Sequence, residues 1–281
     1  MLGNSQTMPP RHGAVNIAWL YAQIFRGHQR WHAVFHHCAE KPVNVAQLQP
    51  CIAQCRQRSP ATVEAAILSR RSIRAFLPDP VKDETVREIL TLAACAPSGT
   101  NTQPWNVYVV RGAVRERLCD EIVEAFLASK DYSEEYTYAP HRWDEPYQAR
   151  RRATGWGLYG ALGILKGEKD KMKAQHARNF RFFDAPVGMF ITIDRGLELG
   201  SWLDIGLFLQ TLMLAARGSG LDTCSQQAFA QYHEIIQNRL SIPKNEMVVC
   251  GVALGRADMS APENHFTPNR EPVGAFAHFV D

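Results

Sequence analysis

Arg70-Arg71-Ser72-Ile73-Arg74 and Ala96-Pro97-Ser98-Gly99-Thr100-Asn101-Thr102-Gln103-Pro104-Trp105 are the stretches from which the rest of the chain is best read. The first places three guanidinium groups and a hydroxyl within five residues. Arg offers a rigid donor fork that matches phosphate and the oxygens of flat heterocycles. In an extended segment Arg70, Ser72 and Arg74 share alternation parity and point the same way. Taken alone, the segment reads first as a solvated basic turn. The second stretch joins a helix to a strand. Its small polar donors and acceptors lie between Pro97 and Pro104, so its backbone can approach a polar, planar ligand closely. Taken alone, it is an ordinary helix–strand turn.

Working outward, Thr62-Val63-Glu64-Ala65 predicts a helix start continued by Ala66, Ile67 and Leu68. Pro78 and Pro80 bar a helix after Phe76. Asp83-Glu84 opens a second helix that ends before Pro97. Trp105–Val110 reads as a strand, and Val114 to about Ala128 as a helix. Residues 129–149 form an acidic, aromatic insertion carrying Tyr132, Tyr136, Tyr138, Trp143 and Tyr147, with Pro140 and Pro146. It is expected either to be a mobile flap, its rings over a flat substrate and its acids (Asp131, Glu134, Glu135, Asp144) in solvent, or to be pinned to the protein's own surface by those rings. Ala185–Asp194 and Met247–Leu254 read as further strands. Leu203–Ala216 is a helix apolar nearly all round, so burial on every side is expected; Gly218-Ser219-Gly220 ends it. Glu234–Leu240 is another helix. Three clear strands among seven or so helices give an α+β or α/β mixture.

The chain has 281 residues, 46% hydrophobic and 21% charged, ordinary values for a soluble globular protein. A net charge of +3 is too small to make nucleic acid the main partner. Residues 1–60 hold six basic side chains against Glu40, a net of +5, so the remainder carries −2. This stretch, with five of the ten histidines, is a basic N-terminal extension of unassigned role, with a boundary near Pro60. His28, His32 and His36 recur every fourth residue, as do Cys51 and Cys55, but no Cys-x-x-Cys or nearby acid completes a set, and no metal site is assigned. No run of eighteen apolar residues and no secretory signal is expected, and the seven cysteines are scattered, so a cytoplasmic setting is the default. The hydrolase elbow, the P-loop and the His-Glu-x-x-His motif are absent. Gly155-x-Gly157-x-x-Gly160 follows Arg150-Arg151-Arg152 rather than a strand, so it reads as helix packing or a bend, not a dinucleotide site.

Arg70-x-Ser72-x-Arg74 followed by Pro97-Ser98-Gly99-Thr100-Asn101-x-Gln103-Pro104-Trp105 resembles the N-terminal half of the FMN-dependent nitroreductase family. Asp184-Ala185-Pro186-Val187 resembles that family's strand entry, Gly220-Leu221-Asp222-Thr223-Cys224 its flavin-flanking turn, and Val249–Gly255 its last core strand. The resemblance covers roughly residues 62–281, which makes 61–281 the FMN-binding domain. It implies an α+β sandwich, a central mostly antiparallel sheet flanked by helices, in an intertwined homodimer with FMN at the interface. NAD(P)H is the implied co-substrate and a nitroaromatic or other electron-poor small molecule the oxidant.

By position, the resemblance gives Arg70, Arg71, Ser72 and Arg74 to the phosphate, ribityl and pyrimidine edge of FMN. It gives Pro97, Ser98, Gly99 and Asn101 to the same flavin from the other subunit. Gln227 and Ala228 fall beside the flavin N5, where the family often has Glu-Gly; a backbone N–H at Ala228 could still serve there. A further phosphate-binding cation is Arg270, with Arg256 the alternative. A guanidinium fixed at the pyrimidine edge, Arg74, stabilises negative charge that builds there on reduction. Two substrates that use one site in turn give ping-pong kinetics. A flavin-cleaving or reductive dehalogenase activity, or flavin binding without turnover, is the alternative.

Overall fold

The computed structural model describes residues 62–129 and 133–281. Residues 62–270 belong to one compact unit; residues 271–281 belong to another and carry a single 3-10 turn, Val273–Ala275. The histidine and cysteine spacings of the first sixty residues lie outside the described residues.

Four strands form the sheet: Trp105–Arg111 (β1), Val187–Asp194 (β2), Asp222–Gln226 (β3) and Glu246–Gly255 (β4). Their order is β1-β2-β4-β3, and every pair is antiparallel. The helices among the described residues are Val63–Ser69 (α1), Asp83–Ala93 (α2), Gly112–Leu127 (α3), Tyr147–Ala161 (α4), Lys169–Ala177 (α5), Leu199–Gly218 (α6) and His233–Leu240 (α7). The Thr62 side chain accepts from Ala65 N at 3.1 Å and starts α1, as its position before the apolar run predicts. Asp83 and Glu84 sit in the first turn of α2, where the helix dipole favours negative charge. Gly220 (φ +73°) makes the turn that leads from α6 into β3.

β2 and β4 occupy the middle of the sheet and are buried almost end to end, which is why their sequences are apolar on both parities. On one face Met189 and Ile191 of β2 meet Val86 and Ile89 of α2 and Phe208 and Leu212 of α6. On the other face Phe190 meets Leu118 and Ile122 of α3, Ile236 of α7 and the rings of Phe182 and Phe229. A Cβ at Gly188 would collide with the Phe182 ring, and one at Gly251 with the Phe229 ring, so both glycines are volume requirements of this aromatic layer. Two helical layers on one antiparallel sheet is the α+β sandwich expected.

Three expectations need correction. α6 is not buried on every side: Ile205, Phe208, Leu212 and Ala216 face the sheet, while Leu199 (83% exposed), Leu203 (69%) and Leu207 (38%) face outward. Apolar residues in excess of one buried stripe here signal a second, uncovered face rather than deeper burial. By length and composition α6 could cross a membrane, yet its inner stripe packs on the sheet. β3 is a strand, although Asp222-Thr223-Cys224-Ser225-Gln226 lacks apolar alternation, and the polar α5 was not anticipated. The insertion is loop only as far as Pro146, since α4 begins at Tyr147. The glycine motif lies within α4; a Cβ at Gly157 would overlap the Phe266 ring, so this glycine serves helix packing.

Candidate functional site

The Arg70–Arg74 segment leaves α1 in an extended conformation and lies along the free edge of β3. Ser72 bridges Thr223 in parallel, and Ile73 N donates to Thr223 O at 3.1 Å. Ile73 is fully buried in the core, so its neighbours of opposite parity turn the other way. Arg70, Ser72 and Arg74 all act on one group, the buried Cys224 thiol of β3. Burial pushes that thiol up, while Arg74, Arg70 and a hydrogen bond with Ser72 pull it down. Arg74 is held by its backbone N–H, which donates to Asn264 Oδ1 at 2.8 Å, and by its guanidinium, which donates to Ser72 O at 3.2 Å. Asn264, buried, donates in turn to the carbonyls of Ala75 and Asp258 at 2.8 Å each.

Arg71 faces differently. Its guanidinium donates to Thr267 Oγ1 and lies near Asp222. It is therefore tied into the fold, and burial outweighs the pull of Asp222 to lower its pKa. Arg70 is lowered first by burial and then by the positive charge of Arg270, against a smaller opposing effect from Cys224. Arg270 donates to the carbonyls of Pro268 (3.2 Å) and Asn269 (3.0 Å). Arg256 instead turns toward Asp79, 4.0 Å away, while its carbonyl accepts from Leu77 N. Of the two candidate cations, Arg270 is the one beside Arg70.

The Ser98–Gln103 loop is exposed and wound tightly. Gly99–Asn101 form a 3-10 turn, Gln103 N donates to Ser98 Oγ at 3.0 Å, and Thr100 (φ 49°), Asn101 (φ 60°) and Gln103 (φ 49°) are left-handed. Each such residue costs on the order of 1 kcal/mol, and strain of this kind collects where function overrides local preference. Gly99 N donates to the Asp204 carboxylate of α6 at 3.2 and 3.3 Å. Asp204 is only 7% exposed and was missed from sequence; an acid in an otherwise apolar helix was the available signal. Pro97 borders the loop and is exposed. Among the described residues no hydrogen bond joins this loop to Arg70–Arg74.

β3 runs from the arginine segment at Thr223 to Gln227 and Ala228, which open the 3-10 turn Gln227–Tyr232. Gln227 is exposed and Ala228 packs against the core. Across from Gln227 lies the start of the insertion. The Tyr136 hydroxyl donates to Val249 O at 2.6 Å, its ring lies 4.7 Å from Trp202, and it contacts the Gln227 side chain. Glu135, 6% exposed, accepts from Arg195, from Gln237 Nε2 at 3.3 Å and from Val248 N at 3.2 Å, and lies 3.1 Å from His233 Nδ1. The acids of the insertion are therefore not all in solvent, and Ser133–Tyr136 is pinned to the body. Further along, Tyr138 and Tyr147 are exposed, and Trp143 stacks under Arg151 at 4.9 Å.

The fold is an α+β sandwich whose open sheet edge carries a partly buried arginine segment, with a strained polar loop nearby in sequence. The nitroreductase family model matches residues 67–256. The chain is 42% identical to a nitrobenzene nitroreductase of Ectopseudomonas oleovorans, covering 78% of this chain and 96% of that protein. It is 38% identical to a 4-nitrobenzoate reductase of Nocardioides sp. (strain LMS-CY), covering 77% and 89%. Among solved structures, the FMN- and NADPH-dependent nitroreductase NfnB of sphigopyxis sp. strain HMH superposes with a TM-score of 0.76 at 32% identity, covering 78% of this chain and 99% of that one. NfnB of Mycobacterium smegmatis in complex with NADPH gives 0.75 at 32%, covering 82% and 100%. This chain belongs to the nitroreductase family.

Proposed function

We propose that the protein is an FMN-dependent oxidoreductase that takes hydride from NAD(P)H and reduces nitroaromatic or similarly electron-poor small molecules, the two substrates using one site in turn. The observation that carries this is the pair Arg70 and Arg270 beside the extended Arg70–Arg74 segment. The half-buried Arg70 guanidinium and the exposed Arg270 repel one another, and a phosphate beside them relieves that repulsion. The donor set thus fits the phosphate of FMN. Thr223 Oγ1, buried without a hydrogen-bond partner beside Ser72, is a further polar atom at this edge.

FMN, when bound, supplies the two-electron acceptor and donor. The chain's own residues do the rest. Arg70 and Arg270 neutralise the phosphate, and Ser72 and Arg74 hold the ribityl and pyrimidine side, with Arg74 stabilising negative charge there. Arg71 supports the segment through Thr267. Ala228 offers its backbone N–H and Gln227 its amide at N5. Pro97, Ser98, Gly99 and Asn101 reach the flavin of a second subunit, and the outward face of α6, with Leu199, Leu203 and Leu207, pairs the two copies; apolar side chains this exposed mark an interface. The domain spans residues 61–281, Arg256 stays outside the site, and the setting is cytoplasmic.

The test is direct. Purified protein should be yellow, should release a flavin that co-migrates with FMN on denaturation, and should sustain NADPH or NADH turnover when a nitroarene is present. Release of FAD, or flavin-loaded protein that never oxidises NAD(P)H with any nitroarene, sinks the proposal.

A further inference from the structure

Beside Gln227 lies a recess lined by acids, tyrosines and amides. It is shallow and open, bounded by Glu134, Tyr136, Tyr138, Gln227, Ala230 and Gln231, with Glu135 also in its lining. None of these residues carries a positive charge. Glu135 is turned to Arg195, His233, Gln237 and Val248 N, so its charge is absorbed by the body of the protein. Glu134 is exposed and lines the recess. Tyr136 is fixed at both ends, by Val249 O and Trp202, so this wall does not swing away from Gln227.

We infer that the segment Glu134–Tyr138 is a fixed selecting wall, and that it favours uncharged nitroarenes over those bearing a carboxylate, with Glu134 the specificity-determining residue. The inference rests on the proposed function, in which Gln227 lies beside the reacting centre. A substrate whose flat ring stacks near Tyr138 brings its far substituent toward Glu134. A carboxylate there meets a like charge with no cation in the lining. Like charges a few ångströms apart at a protein surface change binding by about three- to tenfold, and salt weakens the effect.

The experiment compares nitrobenzene with 4-nitrobenzoate on the flavin-loaded protein, reading kcat and KM separately for wild type, Glu134→Gln, Glu134→Lys and Asp144→Asn, with flavin content measured in each. Wild type should prefer nitrobenzene in kcat/KM. Glu134→Gln should raise the relative kcat/KM for 4-nitrobenzoate about threefold and Glu134→Lys about tenfold, chiefly through KM, and the gain should shrink at high salt. Asp144→Asn removes a charge from the same insertion outside the recess and should leave the ratio where it was. A wild-type preference for 4-nitrobenzoate, or a ratio that neither Glu134 variant moves, overturns the inference. Yellow protein that reduces neither compound overturns the functional proposal instead.

Discussion

Two loops carry polar residues toward the proposed site, and they are held in opposite ways. Ser98–Gln103 is exposed, left-handed at three positions, and joined to the body by one hydrogen-bonded backbone N–H, Gly99 to Asp204. Ser133–Tyr136 is held by a buried carboxylate with several donors and by a tyrosine anchored at hydroxyl and ring. The first loop closes most of its hydrogen bonds within itself and leaves its small polar side chains on the surface, where a ligand can reach them. The second places its polar groups on the protein and leaves only Glu134 outward. A polar loop is thus a binding element or a structural strut according to where its hydrogen bonds end, and composition alone does not separate the two.

The largest expected effect breaks the strut. Glu135→Ala should lower unfolding stability by about 3 kcal/mol, because it leaves the Val248 N–H without its acceptor, removes one partner each from Arg195 and Gln237, and opens a void. Flavin affinity should change little. Urea unfolding of the variant checks this, and a loss under about 1 kcal/mol would mean the segment is not anchored as described.

Next in size are changes at the binding elements. Arg74→Ala should weaken FMN binding by roughly ten- to a hundredfold, the loss expected for a hydrogen bond to a charged group. Asp204→Ala should weaken it by about tenfold by releasing the Ser98–Gln103 loop, and Asp204→Asn, which keeps an acceptor for Gly99, should recover part of that loss. Fluorescence titration of apoprotein with FMN measures all three. Their unfolding midpoints should stay close to wild type; a variant that loses stability without losing flavin would merge the two kinds of loop.

The smallest effect concerns Tyr136, whose pKa is raised mainly by burial. Tyr136→Phe should cost about 1 kcal/mol through the lost bond to Val249 O. A raised folded pKa means that the neutral hydroxyl's contribution is complete below the ordinary tyrosine value of about 10 and is lost as pH rises through the folded value. The stability gap between wild type and Tyr136→Phe should therefore be constant near neutrality and close only in strong alkali. A gap that closes below pH 9 would contradict it.

Much of this was legible beforehand. Thr62 before an apolar run, Asp83-Glu84, and the continuous apolar stretches of β2 and β4 declare themselves through propensity and periodicity. β3 does not, because its polar residues are satisfied by distant partners: Arg217 lies 3.8 Å from Asp222, and Gln226 donates to Asn179 O. The parity of Arg70, Ser72 and Arg74 was readable, since it needs only an extended backbone. The different place of Arg71, and the choice between Arg270 and Arg256, depend on Thr267 and Asp79, which local sequence does not bring near. Asp204 and Glu135 were missed for one reason: acids are assigned to solvent unless a fold supplies their donors.

α6 has one more consequence. One side of it carries Asp204, which holds the Ser98–Gln103 loop, and its outward side carries Leu199 and Leu203. If pairing of two copies through that outward side tightens flavin binding by some factor, flavin must tighten pairing by the same factor. Dilution and deflavination then become interchangeable stresses, and the protein stripped of its cofactor should fall apart into single chains at concentrations where the yellow form stays paired.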